Sequence, residues 1–155
     1  MLFRSAQNTT VTVTGAASLN GNAQVSAGTG TVSYSSTLDA GANNLTISAD
    51  EIDFAGNVSG TGNLTLQQST GSLAMAIANA SAVANQLDIT TTELGRIQNG
   101  FSNVTFGNAN GSGAVTVNAT TFNDATTIRS GSTGTINLAG NLVSNGDRKS
   151  TRLNS

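Results

Sequence analysis

The chain has 155 residues, and Thr (23), Asn (19), Ser (18) and Gly (18) supply 78 of them, while charged residues make up 9% and the formal net charge is −2. Pro, Cys, His and Trp are absent, which excludes a disulfide framework, a Cys/His zinc site, a Ser-His-Asp or Cys-His catalytic unit and histidine-ligated haem or Rieske iron. Leu, Ile, Val and Phe together number 34, too many for the composition of a disordered chain, so there is material for a core.

In chain order, the first segment is MLFRS (1–5) and the last is DRKSTRLNS (147–155); between them they hold four of the six basic residues. Both strings resemble translated sequencing-adapter read-through. The expected division is a non-native or disordered start at 1–5, a folded body at 6–146 and a non-native or disordered basic tail at 147–155. Without the ends, Arg96 and Arg129 stand against Asp39, Asp50, Glu51, Asp53, Asp88, Glu93 and Asp124, a net of −5. Three cations in a short tail make too small a footprint for nucleic acid. No apolar run approaches the ~18 residues of a membrane helix.

From Val11 onward the body repeats. Apolar-x-apolar pairs occur at Val11/Val13, Val32/Tyr34, Ile52/Phe54, Leu73/Met75, Val115/Val117 and Ile136/Leu138, at steps of about 21 residues with one double step whose midpoint is Leu94. A second column, Leu38, Val58, Ala80, Phe101, Phe122 and Val143, keeps the same period. A third set of pairs lies at Leu45/Ile47, Leu64/Leu66, Leu87/Ile89 and Val104/Phe106. Apolar and polar residues alternate within each pair, as in a strand buried on one face. A unit this short cannot bury its apolar face alone, but stacked units coil into parallel ladders around a shared core. The spacing therefore predicts an all-β, right-handed parallel β-helix, or β-solenoid, of about seven rungs with three short strands each.

The corners fit this reading. Gly15, Gly41, Gly56, Gly107 and Gly140 lie near predicted strand ends, where positive φ is least costly for glycine. Asn44, Asn63, Asn85 and Asn103 stand just before third-set pairs, as a stacked amide ladder or as plain Asn-rich loops. One rung departs from the strand pattern: Thr90 and Glu93 have capping-box spacing, and TTELGRIQNG (91–100) predicts a short helix near 91–99 ended by Gly100.

The run LDITTTELGRIQNGFSNVTFGNANGSGAVTV (87–117), with GNVSGTGNLTLQQ (56–68) before it, resembles repeats of filamentous-haemagglutinin-like and autotransporter-type bacterial exoproteins over most of 40–146. The resemblance implies a right-handed β-helix exported with an outer-membrane secretion partner and serving as an adhesin or stalk at the bacterial cell surface. The secretion-signal domain and any toxin or adhesive tip of that family are not part of the matching stretch.

Candidate chemistry is sparse. Asp50, Glu51 and Asp53 form the densest acid cluster, with Asp39 one rung earlier, and are the candidate Ca²⁺ ligands, since hard cations collect carboxylate oxygens; the favoured reading is a solvated face. A β-helix polysaccharide lyase would need acids beside a basic residue, and only Arg96 and Arg129 are on offer. The residues between the first-set pairs, Thr12, Ser33, Asp53, Ala74, Thr116 and Asn137, are too irregular for an ice-binding array. Asn-x-Ser/Thr sites at Asn8, Asn44, Asn57, Asn63, Asn79, Asn103 and Asn118 are about as frequent as composition gives, and GNANGSG (107–113) lacks the Lys of a phosphate loop. The expectation is a non-enzymatic segment of a secreted surface adhesin, with no catalytic residues and no resident cofactor. Its partners would be host or neighbouring-cell glycans or proteins, without nucleic acid and without membrane insertion. The alternatives are a β-helix carbohydrate-active enzyme and an inert surface-layer stalk.

Overall fold

Period-two alternation organises the chain into short parallel strands. The computed structural model describes residues 2–4 and 9–145; the rest of the start, the segment 5–8 with Asn8, and 146–155 with the tail lie outside the described residues. The strands in the first half are β1 (Leu2–Arg4), β2 (Val11–Val13), β3 (Ala17–Ser18), β4 (Ala23–Tyr34), β5 (Leu38–Asp39), β6 (Leu45–Phe54), β7 (Val58–Ser59) and β8 (Asn63–Gln67). There follow β9 (Ala74–Asn79), β10 (Gln86–Thr90), the single helical turn α1 (Thr91–Leu94), β11 (Asn103–Phe106), β12 (Val115–Val117), β13 (Thr120–Phe122), β14 (Thr126–Ile128), β15 (Ile136–Leu138) and β16 (Leu142–Ser144).

Every strand pairing among the described residues is parallel, and the chain forms an all-β solenoid of about six turns. Three faces result. Face one carries β2, the C-terminal halves of β4 and β6, then β10, β9, β12 and β15; face two carries β3, β5 and β7 and, beyond them, β13 and β16; face three carries β1, the N-terminal halves of β4 and β6, then β8, β11 and β14. Leu2–Arg4 of the predicted non-native start thus pairs with Gln24–Ser26.

The expected columns appear as true register partners through the first half of the coil, but the second column fails at its end, where Phe122 faces Ser144 and Val143 pairs with Thr121 and is exposed. Val11 pairs with Val32 and Val32 with Ile52; Leu45 pairs with Leu64 and Leu64 with Val104; Leu38 pairs with Val58. Their side chains point into the lumen, where Val32, Leu45, Ile52, Val58 and Leu64 are all fully buried. Each such burial contributes roughly 1.5–3 kcal/mol relative to exposure, and the continuous column is what a single rung could not make. Aromatic rings stack in the same way, Tyr34 on Phe54 at 6.0 Å and Phe106 on Phe122 at 5.9 Å.

The count of seven rungs needs correction, because the double step is one turn with an excursion rather than two turns. Met75 and Ile77 pair with Val115 and Val117, so the first-set pair of that rung is Met75/Ile77 and not Leu73/Met75. After β9 the chain runs back through the exposed segment 80–85 and lays down β10 on the other side of β9, parallel to it, with Leu87 opposite Met75 and Ile89 opposite Ile77. Leu87/Ile89 therefore belongs to face one instead of the third set, and Ala80 is exposed in the return segment instead of lying in the second column. Ile97 takes that place, bridging to Val58. The seven peptide steps from Asn79 to Gln86 reach up to about 25 Å, enough to retrace a strand of ~17–20 Å without crossing the lumen. Ala78, with φ 59°, is skipped by the ladder where the chain leaves β9.

The predicted helix is real but shorter than 91–99. Thr90 caps α1 with both halves of the capping box in place, and the helix stops at Gly95 rather than Gly100. The Arg96 carbonyl accepts the Val58 N–H and the Gln98 N–H donates to the Val58 carbonyl, so face two recaptures the backbone as a strand. Of the predicted corner glycines, Gly41 and Gly107 adopt positive φ. Gly56 and Gly140 are needed instead because neighbouring backbone passes within 2.4 and 2.5 Å of where a Cβ would stand.

Candidate functional site

Two surface features stand out from the regular rod. The first is an uncharged ladder on face three. In β6, β8, β11 and β14 the outward residues Thr46, Thr65, Thr105 and Thr127 are successive register partners. Alternation puts them outward because Leu45/Ile47, Leu64/Leu66 and Val104/Phe106 point in. Rungs ~4.8 Å apart set their spacing.

Beside this column runs the predicted amide ladder, realised over part of its length. Asn22 Oδ1 accepts the Asn44 N–H at 2.8 Å, and Asn44 Oδ1 accepts the Asn63 N–H and its Nδ2 at 2.9 and 3.0 Å. Asn103 is the register partner of Asn63 but turns sideways: its Nδ2 donates to Thr105 Oγ1 at 2.8 Å and its Oδ1 accepts the Thr127 hydroxyl at 3.1 Å. Asn85 is not in the ladder; it sits in the return segment at φ 66°. On the other flank Gln67 Nε2 donates to Ser48 Oγ at 2.7 Å, and Arg129 donates through Nε to the Gly107 carbonyl and through Nη2 to Gln67 Oε1. Arg129 is therefore a structural staple across the ladder.

The second feature is an open hollow of about 290 Å³ where the return segment stands off from face one, lined by Thr29, Asp50, Glu51, Leu73 and the stretch Val83–Gln86. Asp50 accepts both the N–H and the hydroxyl of Thr70. Glu51 Oε1 accepts the Ile52 N–H at 3.2 Å. Asp53 faces water, as alternation requires, and burial of its surroundings raises its carboxyl above the usual value. Desolvation holds the Glu51 carboxyl up at about 7; the Ile52 N–H works against this, and the charges of Asp53, Asp88 and Glu93 reinforce it.

Of the three candidate Ca²⁺ ligands, Asp50 and Glu51 thus turn to separate partners and Asp53 faces water. Among the described residues no group of three or more Asp, Glu, His or Cys is placed to hold a metal ion. Asp39 is on face two, accepting from Gly41 N–H and Ser59 Oγ. Arg96 lies in the α1 connection, its Nη1 buried with no hydrogen-bond partner.

Two acids that matter to this region were not singled out as site residues in the sequence. Asp88 is fully buried although it points outward between Leu87 and Ile89, and it accepts from Asn79 Nδ2, the Val83 N–H and Gln86 Nε2 at 2.7, 2.7 and 2.9 Å. Three donors offset the cost of burying the carboxylate. Glu93 does more than cap its helix: besides accepting from Thr90 N–H and Oγ1, its Oε1 accepts the N–H of Phe54 from β6. The capping-box spacing gave Glu93 away; nothing in the sequence pointed to its bond with Phe54.

Comparison of the chain with protein-family models, with curated proteins and with solved structures finds no match.

Proposed function

We propose that this chain is a non-catalytic segment of a large secreted bacterial surface adhesin of the filamentous-haemagglutinin-like kind, acting as a stalk and as an extended surface for attachment to glycans or proteins of host or neighbouring cells. Export to the cell surface through an outer-membrane partner is part of the same reading, which rests on the repeat resemblance at 56–117. The observation that carries the binding role is the Thr46–Thr65–Thr105–Thr127 column with its Asn44–Asn63 neighbour. Thr127 is exposed, Thr46 and Thr65 are half-buried, and Thr105 is buried beside Asn103, so the column offers uncharged hydrogen-bonding groups on three of its four rungs, suited to weak contacts multiplied along a chain-like or densely displayed partner.

The test is binding of the whole chain, displayed at high density, to a glycan array and to intact cells, compared with a Thr46→Lys/Thr65→Lys variant of unchanged far-ultraviolet circular dichroism. Binding that the variant loses supports the reading. Absence of binding by the parent chain leaves an inert stalk as the better account. Release of unsaturated or reducing ends from acidic polysaccharides would instead establish a carbohydrate-active enzyme.

A further inference from the structure

We propose that the junction between β6 and β10 is a latched seam in face one, the place where the solenoid opens first between its ends, and that the Glu93 carboxylate is its latch.

Backbone hydrogen bonds hold the other two faces together at this level, a continuous ladder on face three and an isolated bridge on face two. On face three β6 pairs with β8 and β8 with β11, and on face two Val58 exchanges both backbone hydrogen bonds with the 96–98 segment. On face one the sheet that begins with β10 ends there: β10 pairs with β9 over five positions, and among the described residues no ladder joins it to β6. The Ala55 N–H donates to Tyr34 on the β4 side. By alternation the Ile52 and Phe54 N–H groups therefore face β10. Their acceptors are side chains: Glu51 Oε1 takes the first at 3.2 Å and Glu93 Oε1 the second at 3.3 Å.

The cause is the excursion. β10 is an extra strand that only face one possesses, so the layers of that face run one ahead of the other two, and the mismatch is absorbed where β10 meets β6. A sheet edge with unpaired donors needs covering. Here two carboxylates cover it, and only one of them, Glu93, spans the seam. Behind it lie Ile52 and Phe54 on one side and Leu87 and Ile89 on the other, all buried, so apolar packing closes the seam and the Phe54–Glu93 hydrogen bond fixes its position. A contact made by one side chain opens at lower free energy than a ladder of backbone bonds.

Native-state hydrogen exchange of the whole chain, read amide by amide by NMR, tests this. Ile52 and Phe54 are expected to exchange about tenfold or more faster, after correction for intrinsic rates, than Val58 and Gln98, which span the same boundary on face two. Glu93→Ala should accelerate Phe54 and the β10 amides while leaving Val58, Gln98 and the face-three amides Val104 and Gly107 unchanged; Glu93→Gln, which keeps an acceptor oxygen, should lie between. Equal protection of Ile52, Phe54, Val58 and Gln98 in the parent chain overturns the proposal, and so does a Glu93→Ala effect spread evenly over all three faces. If Glu93→Ala does not fold, the parent-chain comparison decides alone.

Discussion

Asp88 Oδ2 accepts the Val83 N–H at 2.7 Å, so a fully buried carboxylate fastens the exposed return segment onto the outside of the rod. Asn79 and Gln86, at the two ends of that segment, donate to the other oxygen of the same carboxylate. Asp88→Ala removes the acceptor for all three donors, and hydrogen bonds to a charged group are worth more than neutral ones. The substitution is expected to lower the unfolding free energy by about 2–4 kcal/mol in urea titration. It should also raise proteolytic cleavage within 80–85. A variant as stable as the parent, with an uncut loop, would show that Asp88 does not fasten the segment.

Glu51 gives the rod a pH dependence of definite sign. Its carboxyl titrates at about 7 in the folded chain against an ordinary 4.5, because burial penalises the charged form and Asp53, Asp88 and Glu93 add repulsion. The folded state therefore holds the proton more tightly than the unfolded state does. The stabilisation is fully present below pH 4.5 and is lost as pH rises through about 7. The group is half exposed, so solvent screening reduces the effect to on the order of 1 kcal/mol. Melting temperature should fall between pH 5 and pH 8, and Glu51→Gln should flatten that part of the profile. Asp53, raised in the same direction, leaves a residual slope. An unchanged profile in Glu51→Gln would assign the dependence to other groups.

Inward positions should differ sharply in cost according to where they stand along the rod. Leu64 is fully buried between its two register partners, Leu45 and Val104, whereas Leu142 in β16 is 36% exposed. Leu64→Ala is expected to cost about 2–5 kcal/mol, and Leu142→Ala less than about 1 kcal/mol. Denaturation midpoints of the two variants measure the difference, and equal losses would mean that the last rung is packed as tightly as the middle ones.

What could be read from the residues was the coil, and what could not was the detour. Val11, Val32 and Ile52, or Leu45 and Leu64, fall into register because lumen packing demands one apolar pair per face per turn, and that demand leaves a period in the sequence. The stretch from Met75 to Val115 defeats the same arithmetic, since an excursion as long as a rung preserves the period while changing the topology. Leu87/Ile89 reads alike on any face, so the pattern alone could not place it. A trace was present in Ala76: its counterparts Thr12, Ser33, Asp53, Thr116 and Asn137 are all polar, whereas Ala76 is buried although it alternates with the inward Met75 and Ile77. The ladder was legible at Asn44 and Asn63, where a corner repeats unchanged. Asn85 fits the corner pattern without belonging to the ladder, because the detour has a corner of its own. The Glu93–Phe54 contact had no signature, because it joins residues brought together only by the extra strand.

Glycine positions distinguish close stacking from mere turn-forming. Gly107 follows β11 with φ 96°, and a Cβ there would lie 2.0 Å from the Arg129 carbonyl oxygen. Its own N–H donates to the Leu66 carbonyl, and the Arg129 N–H donates to the Phe106 carbonyl, so three successive strands close up at this point. Gly107→Ala must either strain a left-handed backbone or push β14 away from β11, and is expected to cost about 2–4 kcal/mol. Gly15 is also a corner glycine, but nothing lies within 4 Å of its Cβ position and its φ is not in the left-handed range. Gly15→Ala should therefore change stability by less than about 0.5 kcal/mol. Chemical denaturation of the pair separates the two roles: similar losses would mean that corner flexibility, and not the approach of Arg129, is what Gly107 supplies.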